Sequence, residues 1–315
     1  MKRPYIYLAA LAVYLVTVIS CKKTETGYLS PNLFYNPKLL EVPQGKVFYS
    51  SAINADQSSL PLQVELLSIR KKATGQPAEN MLKEFEVSTF SAGITDADST
   101  LALLNAKIVK STRPPFHLNE TGGRLEFTSA TNNVDTGMYV IDVKVTNSRG
   151  SLTILNACDI HITGPVAYTI LSAFSSTSPI GLEADFINLP NPEISVERDA
   201  GGPNKITIKV VDKNGVAFSP ANGEVITRGD RGNFAQMNPY YPMIKSAIGM
   251  EWGFPVLPNG FPIKTGNNGT LAYYRIPGAY VTENRNVNFT FDAFKVYAPG
   301  SYTLTLQLPT ITKKP

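Results

Sequence analysis

The chain has 315 residues, 43% of them hydrophobic and 17% charged, with 23 glycines and 23 prolines. These proportions are those of a globular protein and exclude collagen-like, coiled-coil and tail-like sequences. The formal charge of +4 is spread without a run of five like charges, so nucleic acid is not an expected partner.

Lys2 and Arg3 precede an apolar run from Tyr5 to Ile19, the layout of a secretory signal. The uncharged stretch from Pro4 to Ser20 is marginal for the roughly 20 residues that a bilayer-spanning helix needs. The run ends Val18, Ile19, Ser20, Cys21, which resembles the lipobox cut by the bacterial lipoprotein signal peptidase. That resemblance implies removal of residues 1–20 and lipidation of Cys21, whose acyl chains, at about 0.8 kcal/mol per buried methylene, would anchor the protein to a membrane. Lys22 stands where an aspartate resembles the inner-membrane retention signal, so the outer membrane is expected. The SCKK ending is similar to that of many Bacteroidota lipoproteins, in which surface display accompanies an acidic run after the cysteine. Here Glu25 is the one acidic residue at that place, and cell-surface exposure stays open.

Cleavage would leave 295 residues with 27 basic and 25 acidic side chains, and Cys158 as the one other thiol. No intramolecular disulfide is then available, so hydrophobic cores must supply the stability. The expected organisation is a tether at 21–38, an immunoglobulin-like sandwich at 39–164 and a β-rich domain at 165–315. Gly164 and Pro165 mark the boundary.

In the first domain, VFYSSAI and LQVELLSI read as strands bounded by turn residues. PAENMLKEF at 77–85 has the composition for one or two helical turns, and 96–109 fits either a helix or a strand. FHLNETGGRLEF at 116–127 reads as strand, turn, strand. The segment 137–163 alternates most clearly: Tyr139, Ile141, Val143 and Val145 share one face, and Leu152, Ile154, Cys158, Ile160 and Ile162 share one face of the return strand. Cys158 is therefore expected in the core and His161 toward solvent. Phe116, Asn119, Gly122, Leu125 and DTGMY at 135–139 resemble the late strands of immunoglobulin-like and cadherin-like sandwiches, with Tyr139 as the tyrosine corner. Asn147 replaces the calcium-ligating aspartate of cadherin repeats, so the resemblance carries the fold and no metal.

The second domain alternates in KITIKVVD, NVNFTF and GSYTLTLQL, which predicts a second sandwich. Between these strands, residues 234–274 hold eight aromatics and only three charged side chains, interrupted by five prolines and five glycines. Stiff loops presenting Tyr240, Tyr241, Trp252, Phe254, Tyr273 and Tyr274 would suit the C–H face of a pyranose ring. Glu251 and Asn259 are the polar partners expected beside them, while burial in an irregular core is the competing expectation for each aromatic.

Neither histidine falls in an HExxH motif, and no GxSxG sequence, phosphate-cradling loop or cysteine-histidine pair occurs, so no catalytic residue, cofactor or metal is assigned. Arg228, Gly229 and Asp230 read as a turn. The layout is similar to SusE-like and SusF-like lipoproteins of SusC/SusD uptake loci, which implies an accessory that binds a polysaccharide or oligosaccharide without cleaving it. A fimbria-related adhesin or structural lipoprotein is the alternative, and a glycoside hydrolase with two carboxylates is a third reading.

Overall fold

The structure is a computed structural model and describes residues 27–229 and 231–315; the signal segment and Cys21 lie outside the described residues. Strands dominate and form two β-sandwiches, the all-β class that the alternating segments predict. The first contains β1 (Leu39–Pro43), β2 (Phe48–Tyr49), β3 (Gln63–Lys71), β4 (Phe85–Phe90), β5 (Ile108–Arg113), β6 (Phe116–Leu118), β7 (Leu125–Phe127), β8 (Gly137–Asn147) and β9 (Gly150–Thr163). A four-stranded sheet, β1-β9-β8-β3, shares one core with a three-stranded sheet, β2-β7-β6.

The β8–β9 hairpin keeps its predicted phase across an irregularity. Ile141 pairs with Cys158 and Val143 with Ile154, so β9 advances four residues while β8 advances two. Two extra residues preserve parity, and Ile154 stays on the face of the fully buried Cys158. The displaced loop passes through Asn156 at φ 52°, a left-handed conformation that asparagine tolerates, and its N–H donates to Asp142 Oδ1 at 2.7 Å.

The Tyr139 hydroxyl donates to the Asp135 carbonyl at 2.8 Å, the bond of a tyrosine corner. The second sandwich repeats it: the Tyr302 hydroxyl donates to the Ala298 carbonyl at 2.7 Å. Two residues before each tyrosine is a glycine with positive φ, 137° at Gly137 and 124° at Gly300, which lets the chain turn into the strand. DTGMY and APGSY are thus one local device used twice, although the surrounding strand patterns share no repeat.

The second sandwich comprises β10 (Tyr168–Thr169), β11 (Ser172–Ser178), β12 (Ile187–Leu189), β13 (Glu193–Asp199), β14 (Lys205–Val211), β15 (Ile226–Thr227), β16 (Ile244–Lys245), β17 (Met250–Gly253), β18 (Leu271–Ile276), β19 (Asn286–Asp292), β20 (Lys295–Val296) and β21 (Ser301–Gln307). Its sheets run β12-β11-β19-β18-β15 and β13-β21-β14-β17-β16. Ile206, Ile208, Tyr302 and Leu304 of one sheet bury against Tyr274, Val287, Phe289 and Phe291 of the other.

Three expectations change. The tether is shorter than 21–38, because Leu33 and Tyr35 are buried in the first core and the Tyr35 hydroxyl donates to the Gly123 carbonyl at 2.7 Å. The helical stretch at 77–85 reduces to one 3-10 turn, Glu79–Met81, pinned by buried Met81. Residues 96–109 contain both a helix and a strand: helix α1 (Leu101–Ala106), capped by the Thr100 hydroxyl accepting from the Leu103 N–H, runs directly into β5.

The excursion from β4 through α1 to β5 belongs to the first domain in sequence and to the second in packing. Leu104 is completely buried in the second core, and Phe90, Ile94, Leu101 and Ile108 pack against that core. A two-stranded hairpin is marginal alone, and this apolar face is what holds it.

Candidate functional site

The aromatic-rich segment does not present its largest rings. Trp252 pairs in register with Ile206 and points inward, 1% exposed, with its indole edge-on to Phe234 at 5.2 Å. Phe254 is buried against Tyr302 at 5.9 Å. Tyr274 lies stacked on Phe289 at 5.6 Å, and its hydroxyl accepts from the Phe234 N–H at 3.1 Å. Trp252 and Tyr274 stand on β17 and β18 of the two sheets and Phe254 directly follows β17, so these rings fill the core between the sheets.

The remaining predicted site residues are scattered. Tyr240 is half-buried beneath the excursion: Lys264 lies 6.0 Å over its ring, and Lys264 Nζ donates to the Asp96 carbonyl at 3.3 Å. Burial, with the charge of Asp98 adding to it, pushes the Tyr240 hydroxyl above its ordinary pKa. Tyr241 packs flat on Gly253, where even a Cβ would come within 2.6 Å of the ring. Glu251 faces away from Trp252 and pairs with Lys205 at 3.2 Å. Asn259 is exposed at the rim of a cleft of about 250 Å³ that also involves Lys46, Lys295 and Tyr297.

Only Tyr273 takes the presenting role, and it does so on a sheet. Strand β18 alternates Ala272, Tyr274 and Ile276 inward with Leu271, Tyr273 and Arg275 outward. Tyr273 pairs with Thr290 of β19, and Thr290 pairs on its other side with Phe174 of β11. The two aromatics therefore stand on strands about 9 to 10 Å apart, with the small Thr290 between them. Two residues along, on the same face, Arg275, Asn288, Ser176 and Asn188 form the next cross-strand row. Phe174, Tyr273, Thr290, Asn288, Ser176 and Asn188 line a cavity of about 330 Å³ on the outer face of the five-stranded sheet, with Arg228 at its side.

This face is polar yet covered. Asn286, Asn288 and Thr290 are 7%, 2% and 7% exposed although they point away from the core. Arg275 and Glu183 form an ion pair over them; Arg275 Nε donates to Asn288 Oδ1 at 2.8 Å, and Asn286 Nδ2 donates to Glu183 Oε1 at 3.1 Å. Asn288 Nδ2 is left buried without a hydrogen-bond partner. An unmade bond of this kind costs on the order of 1 to 3 kcal/mol, which an accepting ligand atom would recover.

Arg228 follows β15 and enters the turn closed by the Arg231 N–H donating to the Arg228 carbonyl at 3.0 Å. Among the described residues no carboxylate comes within 4 Å of its guanidinium. Burial first, then the neighbouring charges of Arg275 and Arg231, push its pKa below the ordinary value, although it remains a cation. Arg231 lies 5.7 Å over the outer side of the Tyr273 ring system, holding it in place. The described lining residues carry no carboxylate, histidine or cysteine and offer stacking faces and hydrogen-bond donors.

Phe174, Asn288 and Arg228 are the lining residues that sequence reasoning missed. A signal for the first was present: in SAFSSTS the phenylalanine falls in the outward phase, opposite to buried Ala173. Arg228 was read only as part of a turn. In comparisons with known proteins, no family model matches the chain, and no curated protein or solved structure matches it.

Proposed function

We propose that the chain is a non-catalytic, lipid-anchored outer-membrane protein that binds a saccharide on the outer face of its second sandwich, as an accessory to a SusC/SusD-type uptake system. The observation that carries the binding site is the Phe174–Thr290–Tyr273 row, two aromatics flanking a small side chain with an unpartnered amide beside it. A pyranose ring stacks on such faces through its axial C–H groups, and its ring and hydroxyl oxygens accept from Asn288 and Arg228. The test is calorimetric titration of the purified protein against a panel of oligosaccharides. Binding that disappears in Tyr273→Ala supports the reading, and absence of binding across the panel overturns it. The anchor is tested apart: Cys21→Ala should release the protein from the membrane fraction.

A second reading draws on a different feature. Ile180, Leu182, Phe186 and Ile187 are 57% to 65% exposed along and just before edge strand β12. An apolar strip beside a free sheet edge suits strand addition by another chain, which is the structural or adhesin alternative. Neighbouring genes distinguish the two: a SusC/SusD pair favours uptake, a pilin cluster favours assembly.

A further inference from the structure

We infer that the ligand of the sheet-face cavity is an acidic saccharide, whose carboxylate or sulfate group is held by Arg228. This rests on the saccharide reading above and adds the charge of the substrate to it. Arg228 lines the cavity, Arg231 lies over its Tyr273 and Arg275 is bonded to its Asn288. Among the described residues, the Glu183 carboxylate is engaged with Arg275, Asn286 and Ser178. Asp292, at the far end of the same outer row, accepts from the Thr270 hydroxyl at 2.5 Å.

Two of these cations have structural work in place. Arg275 is bonded to both Asn288 and Glu183, and Arg231 lies over Tyr273. Arg228 has no such partner among the described residues, and it is half-buried. A partly desolvated guanidinium without a counterion is costly, and its fork geometry matches the two oxygens of a carboxylate or sulfate. A second lining residue agrees: Asn288 Nδ2 is a buried donor without an acceptor. The Arg228 guanidinium and Asn288 Nδ2 are both donors, so a complementary ligand is rich in acceptors and negative. The flanking rings of Phe174 and Tyr273 set its other half, an unhindered C–H face of a sugar.

The experiment titrates the full described domain pair, as the soluble protein starting after Cys21, with oligosaccharides matched in length: a neutral xylo-oligosaccharide, an oligogalacturonate and a sulfated galactan oligomer. Each is measured at 50 mM and 500 mM NaCl, and with Arg228→Gln and Tyr273→Ala variants. The expected result is that one acidic oligomer binds about tenfold or more tightly than the neutral one, and that Arg228→Gln or high salt removes most of that difference. Preference for the uronate over the sulfate, or the reverse, identifies the group. Neutral and acidic oligomers binding equally, with Arg228→Gln silent, would overturn the charge inference while leaving the saccharide reading standing. No binding of any oligomer, or binding unaffected by Tyr273→Ala, would overturn the saccharide reading itself. Should Arg228→Gln fold poorly, Arg228→Lys keeps the charge without the fork and the salt comparison needs no variant.

Discussion

Arg275 decides which way Asn288 faces. Its Nε can only donate, so the amide must turn its oxygen toward the guanidinium, at 2.8 Å, and its nitrogen away from it, where Nδ2 is buried without a hydrogen-bond partner. Replacing the amide by a carboxylate keeps the acceptor and removes the donor. Asn288→Asp should therefore hold the fold, with a thermal midpoint within about 4 °C of the wild type, yet lose saccharide binding. Retained binding would show that Nδ2 is not a ligand donor.

Trp252 and Tyr273 separate scaffold from site. Trp252 is buried against Phe234 and Ile206, so Trp252→Ala should cost about 3 to 5 kcal/mol and lower the unfolding temperature of the second sandwich. Tyr273 is half-exposed, and Tyr273→Ala should cost about 1 kcal/mol or less while abolishing binding. Thermal unfolding measured beside calorimetric titration distinguishes them; a stable Trp252→Ala protein would contradict the packing described here.

The excursion predicts coupling between the sandwiches. Trp252 is the single tryptophan and reports on the second core, whereas Leu104 belongs to the first domain in sequence. Leu104→Ala should nevertheless shift the Trp252 fluorescence transition by about 2 to 5 kcal/mol. A transition unmoved by this change would mean that α1 contributes nothing to that core.

Cys158 should give an alkaline signature. Burial, with the Asp159 charge adding and Lys38 opposing, raises its thiol from 9.0 to about 12. The folded thiol thus keeps its proton where the unfolded one has lost it. Its contribution is present below pH 9 and falls away as pH rises from 9 toward 12, by roughly 1 kcal/mol at pH 10. Cys158→Val should flatten the denaturant midpoint between pH 9 and 10. The native thiol should also resist disulfide reagents at pH 8, and rapid labelling would place it on the outer face of β9.

Asp212 should act at the other end of the pH scale. Burial would raise its carboxyl, but the N–H groups of Lys313, Val216 and Asn214 outweigh that and hold it below the ordinary range. Its stabilisation is therefore present above pH 4 and lost as pH falls below it. Asp212→Ala should destabilise the protein at neutral pH and make the acid limb of its stability curve shallower.

Period-two alternation is a local property of the chain, and it carried the parts of the fold that depend on neighbours in sequence: the β8–β9 hairpin, the inward row Tyr302, Leu304, Leu306 and Leu308, and the buried Cys158, while the tyrosine corner at Tyr139 followed from the resemblance of DTGMY. Alternation says which residues share a face, but it does not say what covers that face. Asn286, Asn288 and Thr290 form the polar row of NVNFTF, yet they are buried, because Arg275, Tyr273, Phe174 and Glu183 arrive over them from other strands and from a loop. The same limit misplaces Trp252, Phe254 and Tyr274. A run of rings, prolines and glycines looks alike whether it displays an aromatic platform or packs between two sheets, and the choice depends on how those sheets, whose strands lie up to a hundred residues apart, come together. Leu104 is the sharpest case: nothing within 60 residues of it belongs to the core it fills apart from its own hairpin, so only the tertiary packing of α1 assigns it there.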